Sequence, residues 1–424
     1  IATMLAALLH GPALAALGFA GAALTPFLVT TEEPNAMGVA LLITVVGASA
    51  LGVARLKTWR FLALLAIAGM AAWAAFLLFF EVPQAVMASG LMALALLALT
   101  AALLVPGHLW GPQGGGGPDL VSTLGATGAL GMALGAVLAG EITSGPLSVF
   151  LAVAAGSLAL AWRAPPVTFA TVALALFAPV ILNQWIFPPE AGSALAPAGP
   201  MAGVVPEPQR LSLGHFLAFG FGLGGLQLVL GFFGARRPGK GLFSLAWAAA
   251  GSLGAILMLV AAYDRLTDLE RSLPFAALAL GLALLLSFAA ERSSHVRPGG
   301  AAAAAFATGG VVSLALALAF ALEKGWLTVG LALAALAVAW VSTVRPLYGL
   351  RQLSAGLGLV VLAHVGWDPT IAGRDLGTTP IFNWLLWGYG VPALAFAASA
   401  RLLARTADDW SRRVHEGLAL LFAV

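Results

Sequence analysis

The sequence has no cysteine, which excludes disulfides, thiolate nucleophiles and cysteine-ligated metals or clusters. Charge is almost as scarce. Only 9% of the 424 residues are Asp, Glu, Lys or Arg, against roughly a quarter in an average soluble domain, so no water-facing surface can be assembled. The alternation of apolar and polar residues that marks a membrane β-barrel is missing as well. No Asp or Glu lies near the middle of any long apolar run. That disfavours proton or sodium coupling within these residues, because coupled transporters usually hold the ion on an intramembrane carboxylate or histidine.

What is present is apolar. Residues of that kind make up 61% of the chain. They recur in runs of about 17 to 22 residues, each long enough to cross a hydrocarbon core of roughly 30 Å. With water absent, backbone polar groups must be satisfied within each segment, so the fold expected is all-α, a polytopic transmembrane helix bundle. Glycine, at 51 residues, exceeds its usual share of about 7% and suits close helix packing where lipid removes any hydrophobic drive between helices.

The runs predict about fourteen spans. Seven lie near 12–29, 36–54, 61–80, 85–105, 120–139, 147–162 and 167–185, which makes 1–185 a first transmembrane half. A Pro/Ala/Gly-rich loop over 186–210 separates it from a second half, 211–424, with spans near 211–234, 242–263, 273–290, 301–322, 326–344, 347–367 and 381–400. A further apolar stretch starts near Glu416 and is too short to cross, so more spans are expected in a longer protein.

Net charge is +3, but its distribution follows topology and implies no nucleic-acid partner. Counting Arg351 with its nearest loop, one set of alternating loops holds about fifteen Lys and Arg residues, among them Arg55, Lys57, Arg60, Arg163, Arg236 and Arg413; the other holds five, Arg210, Arg265, Arg271, Lys324 and Arg374. Positive residues favour the cytoplasm in short loops, so the basic set is expected inside and the 186–210 and 368–380 loops outside. Arg351, one turn into its span, is expected to reach back to the headgroups.

Few groups could carry chemistry. Glu32 and Glu33 form the one paired-carboxylate signal and are weak catalytic candidates, in an early outer loop where lipid-linked-sugar transferases place acids. His215 and Gln227 share one span and could line a polar patch with Asn183 and Gln184. Trp387 and Tyr389 cluster with Asn383 at the outer half of the last span, and Glu323, Lys324, Arg374 and Asp375 could rim a groove beside them. Gly388, Gly390 and Pro392 should loosen that span, since proline lacks the helix N–H. No histidine pair stands at ligand spacing and no serine sits in a nucleophile elbow, so no metal, no cofactor and no hydrolytic triad is expected.

The strings EKGWLT (323–328), Arg345-Pro346-Leu347, DLGTTPIFNWLLWGYGVPALAF (375–396) and EGLALLFAV from Glu416 resemble the bacterial polytopic membrane family catalogued as domain of unknown function 2339. ALTPFLV (23–29) and TWR (58–60) carry the likeness toward the start. The resemblance implies a bacterial inner-membrane protein whose full length has a further hydrophobic C-terminal part and often an N-terminal coiled coil. It brings no catalytic or binding residues. The reading favoured is a non-enzymatic binder or translocator of an envelope lipid or lipid-linked glycan, with membrane lipids as partners. A structural subunit packing against other membrane proteins and an outer-face glycosyltransferase-like enzyme are the alternatives.

Overall fold

A computed structural model describes residues 11–28, 35–79, 84–114, 116–188, 210–296, 300–322, 324–344, 349–367 and 386–423. Among these the chain forms fifteen α-helices and no strand. Contacts divide it into two units, Ile1–Gln227 and Leu228–Val424. The first holds α1 (Pro12–Leu28), α2 (Ala36–Lys57), α3 (Arg60–Phe79), α4 (Ala85–Leu99), α5 (Leu120–Ala139), α6 (Ser144–Arg163), α7 (Ala170–Asn183) and the first part of α8 (Leu213–Ala235). The second holds the rest of α8, then α9 (Gly241–Thr267), α10 (Leu273–Val296), α11 (Ala301–Ala321), α12 (Lys324–Val344), α13 (Leu350–Trp367), α14 (Val391–Ala404) and α15 (Trp410–Ala423).

Each of the fourteen expected spans falls on one of α1–α14. Among the described residues ten helical segments are long and apolar enough to cross a bilayer, and α1, α7 and α13 are shorter apolar helices. Among the described residues two π-helical turns depart from α geometry, beside a 3-10 turn at Pro165–Val167. A π-helical turn, Thr100–Leu104, extends α4. Another, Leu386–Gly390, precedes α14 just where Gly388, Gly390 and Pro392 were expected to loosen the span.

Within the first unit α5 stands at the centre, against α3, α4, α6 and α7. Its buried residues include Gly125, Ala126, Ala129, Ala133 and Ala136, small enough to let neighbouring backbones close in. Its N-cap is Asp119, whose side chain accepts from the Ser122 amide at 2.9 Å. Helix α1 is peripheral and buries only Ala15 and Phe19 among its residues. It is held by Trp73 of α3, whose Nε1–H donates to the Ala23 carbonyl at 3.0 Å.

In the second unit α8 and α9 meet backbone to backbone at Gly231, where a Cβ would lie 2.7 Å from Gly251 Cα and from the Trp247 carbonyl oxygen. Helices α9 and α10 run past the expected ends, to Thr267 and Val296, because a helix does not stop where hydropathy does. In α9 the Tyr263 hydroxyl reaches the Leu269 and Glu270 carbonyls, at 2.9 and 2.8 Å. In α10, Glu291 meets His295 at 3.4 Å one turn on.

A core of α12–α15 gathers Leu331, Ala335, Leu357, Phe396, Leu418 and Phe422. The apolar stretch read from Glu416 belongs to a helix that starts earlier, at Trp410. Its buried residues, Ser411, His415, Leu418 and Phe422, recur every three or four positions and form one stripe against α13 and α14.

Candidate functional site

Of the residues singled out from the sequence, Glu32, Glu33, Glu323, Arg374, Asp375 and Asn383 lie outside the described residues, and Lys324 opens α12. Trp387 and Tyr389 are described, and they part company. Trp387 faces Trp326 of α12 with ring centroids 6.5 Å apart, both about half exposed (47% and 51%). Tyr389 turns inward and packs on Phe422 at 6.1 Å. Residues two apart on a helix point to nearly opposite sides, so the pair cannot share a groove.

His215 and Gln227 also fail to converge. The His215 Nδ1 pairs with the Ser212 Oγ at 2.9 Å at the start of α8. Gln227 stands twelve residues along the same helix, a rise of about 18 Å. It is 2% exposed, and neither its amide nitrogen nor its oxygen has a hydrogen-bond partner among the described residues. Gln184 donates to Asn183 Oδ1 at 3.3 Å, a local contact.

The polar cluster the structure does assemble is elsewhere, at the first turn of α13. The guanidinium of Arg351 turns to the 403–409 turn, part of the same basic loop set. Nε and Nη2 each donate to Asp409 at 2.8 Å, a bidentate pair. Nη2 also donates to the Ala407 carbonyl at 3.0 Å, and Nη1 to the Leu403 carbonyl at 3.2 Å and to Thr406 Oγ1. Those hydrogen bonds, with Arg351 foremost, hold the Asp409 carboxyl below its ordinary value against the opposing effect of burial.

One turn further along α13, Ser354 and His415 of α15 are both fully buried. Ser354 Oγ lies 3.0 Å from His415 Nε2 and 2.8 Å from the Ala335 carbonyl of α12, while His415 Nδ1 lies 2.8 Å from the Ser411 carbonyl. The Ser411 carbonyl can only accept, so a neutral His415 carries its proton on Nδ1, and its Nε2 and the Ala335 carbonyl are then two acceptors sharing the single Ser354 hydroxyl proton. Three helices are thereby tied through one hydroxyl.

The sequence matches, over residues 1–424, the family described as Predicted membrane protein (DUF2339). The chain belongs to that family. No curated protein and no solved structure matches it. In this DUF2339 chain the Ser354–His415 contact has the spacing of a nucleophile and its base, yet no solvent reaches either atom, so the arrangement fastens helices and offers no seat for a substrate. Sequence reasoning missed Asp409 and His415. One signal pointed to the first: Asp408 and Asp409 are acids in a basic loop, and an arginine set inside a span needs a counter-charge. His415 sits beside Glu416, where the last apolar run was taken to begin.

Proposed function

We propose that this protein resides in the bacterial inner membrane with its basic loops in the cytoplasm, and that it binds or moves an envelope lipid or lipid-linked glycan without covalent chemistry. The observation that carries this reading is the open pair Trp326 and Trp387, contributed by two helices and about half exposed on each side. Indole rings stack on sugar faces or acyl chains. Glu323, Lys324 and Asn383 are close to the two tryptophans in sequence, and with Arg374 and Asp375 they supply charged and amide groups for a head group. The uneven distribution of Lys and Arg between alternate loops supports the orientation.

The test is photo-crosslinking of the full chain, reconstituted in bilayers, to a diazirine-bearing phospholipid and to a polyprenyl-linked sugar. Trp326→Ala with Trp387→Ala is expected to lower specific labelling roughly tenfold, as loss of two exposed aromatic anchors should. Labelling unchanged by the pair, together with co-purifying membrane subunits that the pair releases, would replace this reading with that of a structural subunit.

A further inference from the structure

Where α2 ends and α3 begins, the first unit holds a cavity of about 190 Å³ that opens to the surface. Its inner wall is apolar and buried, with Ala63 and Leu104 among its residues. Its rim is polar: Arg55, Thr58, Arg60 and Asp119. A water molecule occupies about 30 Å³ of liquid, so the space is that of roughly six waters, enough for a phosphate ester head group and too small for a whole lipid.

The charges of the rim do not cancel. Asp119 Oδ2 is engaged in capping α5, accepting from the Ser122 amide at 2.9 Å and from the Ser122 hydroxyl at 2.8 Å. Arg55 gives its Nε–H to the Trp110 carbonyl, which fixes the side chain and leaves its two terminal amino groups free. Arg60 has no ion pair or hydrogen bond from its side chain among the described residues. At the start of α3 the amides of Arg60, Leu62 and Ala63 are already taken, Arg60 N by the Thr58 carbonyl at 3.1 Å and Leu62 N and Ala63 N by that of Trp59 at 3.1 and 3.3 Å. Side chains, not the helix end, therefore supply the attraction.

The far wall is built to stay in place. Trp110 N bonds the Ala102 carbonyl at 3.0 Å, Gly107 N that of Pro112 at 2.9 Å and Gly111 N that of His108 at 2.7 Å. Two guanidinium groups with free, planar sets of donors over a small apolar pocket match a phosphate group. Outside it, Leu56 and Phe61 are exposed beside the two arginines, a surface along which acyl chains can lie.

We propose that this cavity binds the phosphate of a phosphate ester, carried either by a phospholipid or by a soluble ester. The inference is independent of the Trp326 and Trp387 pair. The full chain in lipid-free detergent would be titrated with glycerol 3-phosphate by calorimetry, and with phosphatidylglycerol by native mass spectrometry.

The wild type is expected to bind at least one probe, and Arg55→Gln with Arg60→Gln to weaken that binding by about tenfold or more. Arg163→Gln, at the end of α6 and outside the cavity, is expected to leave it unchanged. Dependence on the two arginines with phosphatidylglycerol alone identifies a lipid head group; the same dependence with glycerol 3-phosphate identifies a soluble ester. Arg60→Gln alone, which breaks no bond of the fold, keeps the test readable if the double variant does not fold. Failure of the wild type to bind either probe, or equal binding by wild type and the arginine variants, overturns the proposal.

Discussion

Arg351 in the second unit and Arg55 and Arg60 in the first occupy equivalent positions in the sequence, each within about a turn of the end of an apolar run. Their environments differ completely. Arg351 is 17% exposed, and its Nε, Nη1 and Nη2 are all engaged by Asp409, Thr406 and two carbonyls. Arg55 has one bond, to Trp110, and Arg60 has none among the described residues. The cause lies in the loops facing them. The 403–409 turn offers a carboxylate, a hydroxyl and the Leu403 and Ala407 carbonyls at the end of α14. The 105–119 loop has Asp119 as its single acid, and that group caps α5. A basic residue beside a membrane span is therefore structural or available according to what the next loop leaves unspent.

The largest effect that could break this contrast is on stability. Arg351→Ala leaves Asp409 facing a partly buried, unpaired site, and is expected to cost about 3 kcal/mol, measured by thermal unfolding of the purified chain. Arg351→Lys should recover only part of this, since an ammonium cannot form the bidentate pair. Arg60→Ala should stay within about 0.5 kcal/mol of wild type. Similar losses for Arg351→Ala and Arg60→Ala would erase the distinction.

Next comes His415→Leu, which removes the group facing Ser354 and asks whether the fastening extends from α13 and α15 to α12. The expected cost is about 2 kcal/mol, the range for one buried polar partner removed. Ser354→Ala in the same background should then add little, because the two share one interaction. Full additivity would mean that the hydroxyl acts only through the Ala335 carbonyl.

In the first unit Gly111→Ala probes the cavity wall. A Cβ at Gly111 would overlap the Val105 carbonyl oxygen, so the loop that holds Trp110 against Arg55 must shift. An exposed loop unfolds locally at small global cost, about 1 kcal/mol. Phosphate binding should nevertheless fall with the loop. Gly222→Ala in α8, where a Cβ meets nothing, serves as the neutral comparison. Retained phosphate binding in Gly111→Ala would show that the wall does not shape the cavity.

Much of the fold was readable from hydropathy. The run read as 120–139 is α5, and the one read as 85–105 is α4 with its π turn. The misreadings share a physical origin. Hydropathy marks where lipid ends, while helices end where caps and tertiary contacts say so, hence the extra turns of α9 and α10. The pairing of Arg351 with Asp409 escapes the sequence because the partner is 58 positions away, beyond the reach of any local pattern. Trp387 and Tyr389 were grouped by proximity in sequence, although a spacing of two on a helix already separates them. The cavity at Arg55 and Arg60 was not visible at all: it exists because the 105–114 segment folds back on itself through bonds that no motif announces.

The smallest expected effect is a response to acid, and it falls on the paired arginine alone. The folded-state value of Asp409 is depressed, chiefly by its hydrogen bonds to Arg351. A depressed carboxyl stabilises the fold fully above its unfolded value of about 3.9, and that contribution disappears as pH falls through the lower folded value. Unfolding temperature should therefore drop on acidification below about pH 4 by more in the wild type than in Asp409→Asn, which has no proton to take up there. Arg60→Gln should titrate as the wild type does, because no carboxylate answers Arg60 in the described fold. If instead Asp409→Asn keeps the full acid response, the pairing at α13 is not what distinguishes the two ends, and the contrast between a committed and an available arginine would need another electrostatic basis.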